Sequence, residues 1–375
     1  MNDQQLAQLL GIGSPWREAM IAVPRARFVP ARGLASPEHG IPYPIDRDAR
    51  PEQWHTAVYS DASIITQRAD GAAAPDDTAA GPASSSISAP GIAFSFLQLL
   101  GPAEGDRVLE IGTGTGYTAA LLSHLLSAEN VTTLEVDPAL AAQAEANLKA
   151  VGLTPHVIAG DGADGYPPDA PYDRVHVTCA VASIAYTWVE QARPGAVIVA
   201  PWQPQIGHGH KTRLTVTDSG TAHGRFHGPS GYMMLRNHRA ELAWRPHHQQ
   251  DAVTSTTRLD LRRIQHAGPG LNLAVTARAP GLGFFVEEDP GDGSVSLLCY
   301  EIGNPAGPWA ACDYQPGHAT HPVTQHGPRR LWDELEDTFT WWTRNDSPAP
   351  GRYGLTVAAS GEEPWLDQPS HIITP

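Results

Sequence analysis

Cysteine is nearly missing from this chain: Cys179, Cys299 and Cys312 are the only 3 among 375 residues. So sparse and odd a set excludes a disulfide framework and suits a reducing cytoplasm, the expected location. No apolar run could cross a bilayer, and the start, MNDQQLAQLLGIG, lacks a basic stretch followed by an apolar one. Neither a membrane span nor a secretory leader is therefore expected. Lysine is scarce, and 25 Lys+Arg stand against 40 Asp+Glu, a formal charge of -15. That balance repels phosphate backbones, so nucleic acid is excluded as the main partner. Histidine is abundant, but His208/His210, His247/His248 and His318/His321/His326 lack partner cysteines or a helical HExxH pattern. No metal site is expected from them.

What is present suits a globular protein. Hydrophobic residues make up 41% of the chain, and its length exceeds the usual size of one core, so more than one domain is expected. Residues 14–30 read as an amphipathic helix with Trp16, Met20 and Val23 on one face, ended by prolines. Residues 31–86 read as irregular, with an Ala/Asp/Ser-rich lid at 69–86; together, 1–86 form an N-terminal helix plus insertion. From 87 to 236, short β-branched runs alternate with helices, the signature of a parallel sheet covered by helices. Strands are expected at Arg107–Ile111, Val131–Glu135, His156–Ala159, Arg174–Val177 and Ala196–Ala200. An antiparallel edge hairpin follows, from Arg213–Thr217 and Gly231–Leu235. Asp137, Pro138 and Gly152 mark a helix's cap, first turn and stop. Residues 237–375 read as an α+β domain: LNLAVTA, GFFVE and SVSLLCYEI as strands, then a helix opened by Pro328 with Leu331, Leu335, Phe339 and Trp342 facing inward.

The segment VLEIGTGTGYTAALL at 108–122 carries the chemistry. A buried strand runs into Gly112, Thr113, Gly114 and Gly116, and after Tyr117 a helix opens near Thr118, offering close backbone approach and free N–H donors. Glu110, just before the glycines, would repel a pyrophosphate but suits a cofactor with a cationic end, such as S-adenosylmethionine. Glu135, followed by Val136, ends the second strand, where an acid can accept two ribose hydroxyls. Asp161 and Gly162 follow the third strand, where an adenine amino group can be bound. Ligands sit at the carboxyl ends of parallel strands, so three acids in this order point to one cofactor site in a Rossmann-like, class I methyltransferase sheet.

The strings ISAPGIAF (87–94), VLEIGTGTGYTAALL, GDGADGYPPDAPYDRVHV and PGAVIVAPW, with AMIAVPRARFVP at 19–30, resemble the protein-L-isoaspartate O-methyltransferase family over residues 15–32 and 86–235. The resemblance implies that Ser88 sits beside the transferred methyl and hydrogen-bonds the acceptor carboxylate, although Ser88 also reads as a plain helix N-cap. It further implies that Ile87 and Pro90 shape that pocket and that Thr178 and Cys179 border a groove for a peptide or protein substrate, Thr178 also touching the cofactor. A carboxylic acid with a pKa of about 4 is already ionised at neutral pH, so the nucleophile needs no base.

Gly91 follows ISAP where repair members tend to carry His or Tyr. The upstream VYSD…ITQ, the SSS run and the terminal GPRRLWDELEDTFTWW resemble longer actinobacterial members found beside ribosomal-peptide pathways. That resemblance implies aspartate methylation in a cyclised peptide, giving aspartimide or isoaspartate, with 237–375 and the lid recognising the peptide. General isoaspartate repair, a non-catalytic binding module and a nicotinamide oxidoreductase stand as alternatives.

Overall fold

The N-terminal stretch expected to be irregular builds a sheet of its own. In the computed structural model, which describes residues 1–205, 208–240 and 251–375, the chain divides into two units. The first comprises Met1–Ala180, Ala185–Pro201 and Arg213–Ala222; the second comprises Val181–Ile184, Trp202–Thr212 and His223–Pro375. His247 and His248 lie outside the described residues, as does the side chain of His208.

The first unit opens with α1 (Asp3–Leu9) and α2 (Trp16–Ala22). Asn2 and Gln5 cap α1 reciprocally, each side chain accepting the other's backbone N–H. Trp16, Met20 and Val23 are buried as expected, but α2 ends at Ala22, because Pro24 cannot continue the helix. Next come β1 (Arg32–Pro37), β2 (Tyr43–Asp46), α3 (Pro51–Val58), β3 (Ala62–Arg68) and β4 (Ala83–Ile87). The four strands form an antiparallel sheet ordered β2-β1-β3-β4. Within the stretch read as a lid, residues 69–82 close around Arg68, whose guanidinium donates to Pro75 O (3.0 Å) and Gly81 O (2.9 Å).

Beyond the N-terminal sheet, helices and strands alternate: α4 (Pro90–Leu100), β5 (Val108–Ile111), α5 (Tyr117–Leu126), β6 (Val131–Glu135), α6 (Pro138–Ala150), β7 (His156–Ala159), β8 (Tyr172–Val177), α7 (Tyr186–Glu190) and β9 (Ala192–Gln205). Asp137 caps α6 through Ala139 N (2.9 Å) and Leu140 N (3.3 Å). The parallel strands run in the order β9-β8-β5-β6-β7. Chain direction across the sheet therefore reverses between β5 and β8, which opens a crevice at their carboxyl ends.

The chain continues with β10 (His208–Val216), β11 (Ala222–Ser230), β12 (Val253–Thr257), α8 (Arg262–Gln265), α9 (Pro269–Arg278), β13 (Leu282–Glu288), β14 (Val295–Glu301), β15 (Trp309–Tyr314), β16 (His321–His326), α10 (Leu331–Arg344), β17 (Tyr353–Ala358) and β18 (Gly361–Leu366). The hairpin turns at Thr217–Thr221, so its second strand is β11 rather than Gly231–Leu235, and β17 and β18 follow it in the order β18-β17-β11-β10. LNLAVTA is not a strand but part of α9. Gly268 and Pro269 open a helix there, and Leu271, Leu273, Ala274, Val275 and Ala277 are all buried, which blurs its period. The remaining strands form an antiparallel sheet ordered β12-β16-β15-β14-β13. On α10 the expected Leu331, Leu335, Phe339 and Trp342 are buried, while Trp341 lies under the Arg278 guanidinium, 5.3 Å from its centroid. Arg262 pairs with Asp260 and Arg329 with Glu301 and Glu334, so these cations are committed within the chain.

One carboxylate here predicts a pH response. Glu362 on β18 accepts from Ile184 N (2.5 Å) and Trp202 Nε1 (3.1 Å), and burial pushes its pKa up to about 7. A group raised on folding contributes fully below its unfolded pKa and loses that contribution as pH climbs through the folded one. Thermal melting should therefore weaken between about pH 5 and about pH 8, by on the order of 2 kcal/mol. Glu362→Gln should flatten that slope; an unchanged slope would show that another group carries it.

Candidate active site

At the carboxyl end of β5 the chain turns sharply through Gly112–Gly116 into α5. Gly112 has φ +93°, and a Cβ there would lie 2.6 Å from Thr178 Oγ1, so only glycine fits. The Thr178 hydroxyl donates to Ile111 O (2.9 Å) and Gly112 O (2.5 Å), tying the end of β8 to this turn. Glu135 closes β6, accepting from Gly114 N (2.9 Å) and Asp137 N (3.2 Å). Val136 follows it, half-buried. Asp161 lies just beyond β7 and accepts from Ala163 N (3.0 Å), and the buried Gly162 gives its carbonyl to Trp188 Nε1 (2.8 Å).

Cys179 brings these parts together. Its Sγ lies 3.7 Å from where a Gly112 Cβ would stand. Burial, and then the charges of Glu135 and Asp161, push its thiol up to about 12. Cys179 thus borders the glycine turn, and the charges of Glu135 and Asp161 act on its thiol. The same shift removes Cys179 as a nucleophile, since the reactive form is the thiolate. Iodoacetamide at neutral pH should label it on the order of a hundredfold more slowly in the folded chain than in urea. Peptide mapping that found equal rates would contradict this environment.

Three residues expected at the cofactor have side chains engaged within the chain. The parallel register sets Glu110 between Thr133 and His176, and its side chain has no exposed surface. Thr133 Oγ1 donates to Glu110 Oε2 (2.8 Å), and His176 Nδ1 lies 3.4 Å from Oε1. Strand alternation turns this acid toward the side chains of its register partners on β6 and β8. Thr113 likewise points inward, its hydroxyl 2.7 Å from that of Thr133. The Tyr117 ring packs against Phe28, centroids 5.5 Å apart, leaving only its backbone at the helix start.

Ser88 occupies the two-residue joint between β4 and α4, between the buried Ile87 and Pro90. The N-cap of α4 is Ala89, with no side-chain cap, so Ser88 does not serve as the plain cap. Residues that sequence reasoning missed surround this joint. Arg25 donates to Ser88 O (3.0 Å), and Asp61 accepts from Gly91 N (2.7 Å). Gln67 donates to Asp137 Oδ2 (2.9 Å), joining the N-terminal sheet to the start of α6. No local periodicity signals such long-range pairs. Among the described residues no cluster of three or more His, Cys, Asp or Glu is placed to hold a metal ion, and no helix is long and apolar enough to cross a membrane.

A glycine turn after the first strand, acids after the next two and a central chain reversal define a class I S-adenosylmethionine-dependent methyltransferase. The residues fit that cofactor: a turn without side-chain bulk where Gly112 lies, an acid at the end of β6, and another after β7. The family model described as protein-L-isoaspartate(D-aspartate) O-methyltransferase matches residues 13–222, and the chain belongs to that family of carboxyl O-methyltransferases. The chain is 32% identical over 224 residues to the protein-L-isoaspartate O-methyltransferase of Methanopyrus kandleri, covering 58% of this chain and 81% of that one. With the Pyrococcus abyssi protein of the same name it shares 34% over 171 residues, 44% of this chain and 74% of that one. A solved structure, also named protein-L-isoaspartate O-methyltransferase, matches 98% of this chain and 100% of its own with a TM-score of 0.55 at 19% identity, a likeness of fold.

Proposed function

We propose that this enzyme esterifies the side-chain carboxylate of an aspartate or isoaspartate within a peptide, in the maturation of a ribosomally made peptide. The observation carrying the chemistry is the placement of Ser88 at the β4–α4 joint, where its side chain does not cap the helix. When bound, S-adenosylmethionine supplies a methyl group on a positively charged sulfur. The Glu135 carboxylate would accept from the ribose hydroxyls, Asp161 would accept from the adenine amino group, and Gly112, Gly114, Gly116 and Thr178 would hold the remainder. Ser88 donates to one oxygen of the acceptor carboxylate and leaves the other to attack, while Ile87 and Pro90 exclude water. Such alignment is worth on the order of 7–11 kcal/mol. In the methyl ester, the following backbone nitrogen attacks the carbonyl, its proton leaves with methoxide as methanol, and a succinimide remains.

The peptide-pathway reading draws support from Gly91 and from the VYSD segment that faces it. Residues 237–375 are assigned to peptide recognition, and the three free thiols suit a cytoplasmic enzyme. General isoaspartate repair is the second reading. It is favoured by the names of the relatives and by a solved structure so named that spans nearly the whole chain, long C-terminal part included. Two peptides of one sequence, one with aspartate and one with isoaspartate, separate the readings by mass spectrometry. Methyl gain followed by methanol loss on the aspartyl peptide supports the first; modification of the isoaspartyl peptide alone supports repair.

A further inference from the structure

The joint that carries Ser88 is gripped at both ends by charged groups from the N-terminal region. Arg25 follows α2 and has no exposed surface. Its guanidinium donates through Nη1 to Val58 O (2.6 Å), the last carbonyl of α3, and through Nη2 to Ala62 O and Ser88 O (both 3.0 Å). Asp3 holds it in turn, accepting from Arg25 N (3.1 Å). On the other side of the joint, Asp61 Oδ1 accepts from Gly91 N at 2.7 Å, and a Cβ on residue 91 would come within 2.5 Å of Asp61 Oδ2. A side chain after ISAP would require the Asp61 carboxylate to shift from this hydrogen bond, whereas glycine leaves it in place. Between the two grips, Pro90 fixes its own φ.

We infer that Arg25 and Asp61 are a positioning pair that sets Ser88 for methyl transfer, one pinning its carbonyl and the other the amide of Gly91. The inference rests on the role given to Ser88 above. Neither residue touches substrate; each acts through the backbone of residues 88–91. Burial lowers the Arg25 pKa to about 10, with Asp61 and Asp3 among the groups holding it up, so the fork stays charged at neutral pH. Three carbonyls on three segments need a planar fork, which lysine lacks.

Half-buried Asp61 offers the cleaner test, because loss of Arg25 leaves buried carbonyls without donors and the chain could unfold. Misplacement by about 1 Å costs up to about a hundredfold in rate. Asp61→Ala should lower kcat on the peptide that the wild type methylates by about tenfold or more, with KM and cofactor affinity unchanged. Asp61→Asn keeps an acceptor oxygen for Gly91 N and should restore most of that loss. A kcat unchanged in Asp61→Ala, a loss Asn fails to restore, or an equal fall in cofactor affinity would each overturn the pairing. A crystal structure of Asp61→Ala needs no substrate and should show Ser88 displaced by roughly 1 Å. An unmoved Ser88 overturns the inference even if the wild type turns over neither peptide, a result that would sink the functional reading separately.

Discussion

Glu135→Ala is expected to weaken S-adenosylmethionine binding by about a hundredfold or more, read by calorimetry. Glu135 is 7% exposed and accepts from Gly114 N, so it shapes the glycine turn as well as serving the ribose in the proposed site. Hydrogen bonds to a charged group contribute about 1.5–3 kcal/mol each, and about 1.4 kcal/mol is a tenfold change in affinity. Losing two such bonds accounts for the hundredfold, and a relaxed turn adds to it. Glu110→Gln should behave differently: that side chain is sealed between Thr133 and His176, so its replacement should register mainly in thermal stability. An affinity for Glu135→Ala within about threefold of wild type would mean that the ribose is held elsewhere.

Ser88→Ala should reduce kcat by on the order of a hundredfold, as for other lost preorganised donors. Cofactor affinity and melting temperature should stay where they are. The second half of that expectation comes from the structure: α4 takes no side-chain cap from Ser88, so removing the hydroxyl does not unsettle the helix. A fall in melting temperature with kcat intact would return Ser88 to a structural role.

Much of the sheet is legible because its strands are short β-branched runs bounded by residues with their own local chemistry. Val131–Glu135 and His156–Ala159 fall where the sequence places them, and Asp137 caps α6 as its type predicts. The region before Ser88 is not legible in this way. Strand β2 is four residues long with Pro44 inside it, and β1 opens on Arg32 and Gly33 and ends on Pro37, so neither offers a clear run of alternation. Segment 271–277 fails for another reason: a helix buried on most sides loses its polar face and with it the 3.6-residue period. Within the site, spacing locates Glu110 correctly along the strand but not its direction, which depends on which face of the sheet Thr133 and His176 share. Arg25 and Asp61 are recognisable only once residues 25, 61 and 88–91 are seen together.

The most direct measurement is a crystal structure of the full chain grown with S-adenosylhomocysteine. The ribose hydroxyls should lie about 3 Å from the Glu135 carboxylate, the adenine amino group at similar range from Asp161, and the sulfur on the Ser88 side of the Gly112 turn. A nucleoside bound away from Glu135 and Asp161 would contradict the account.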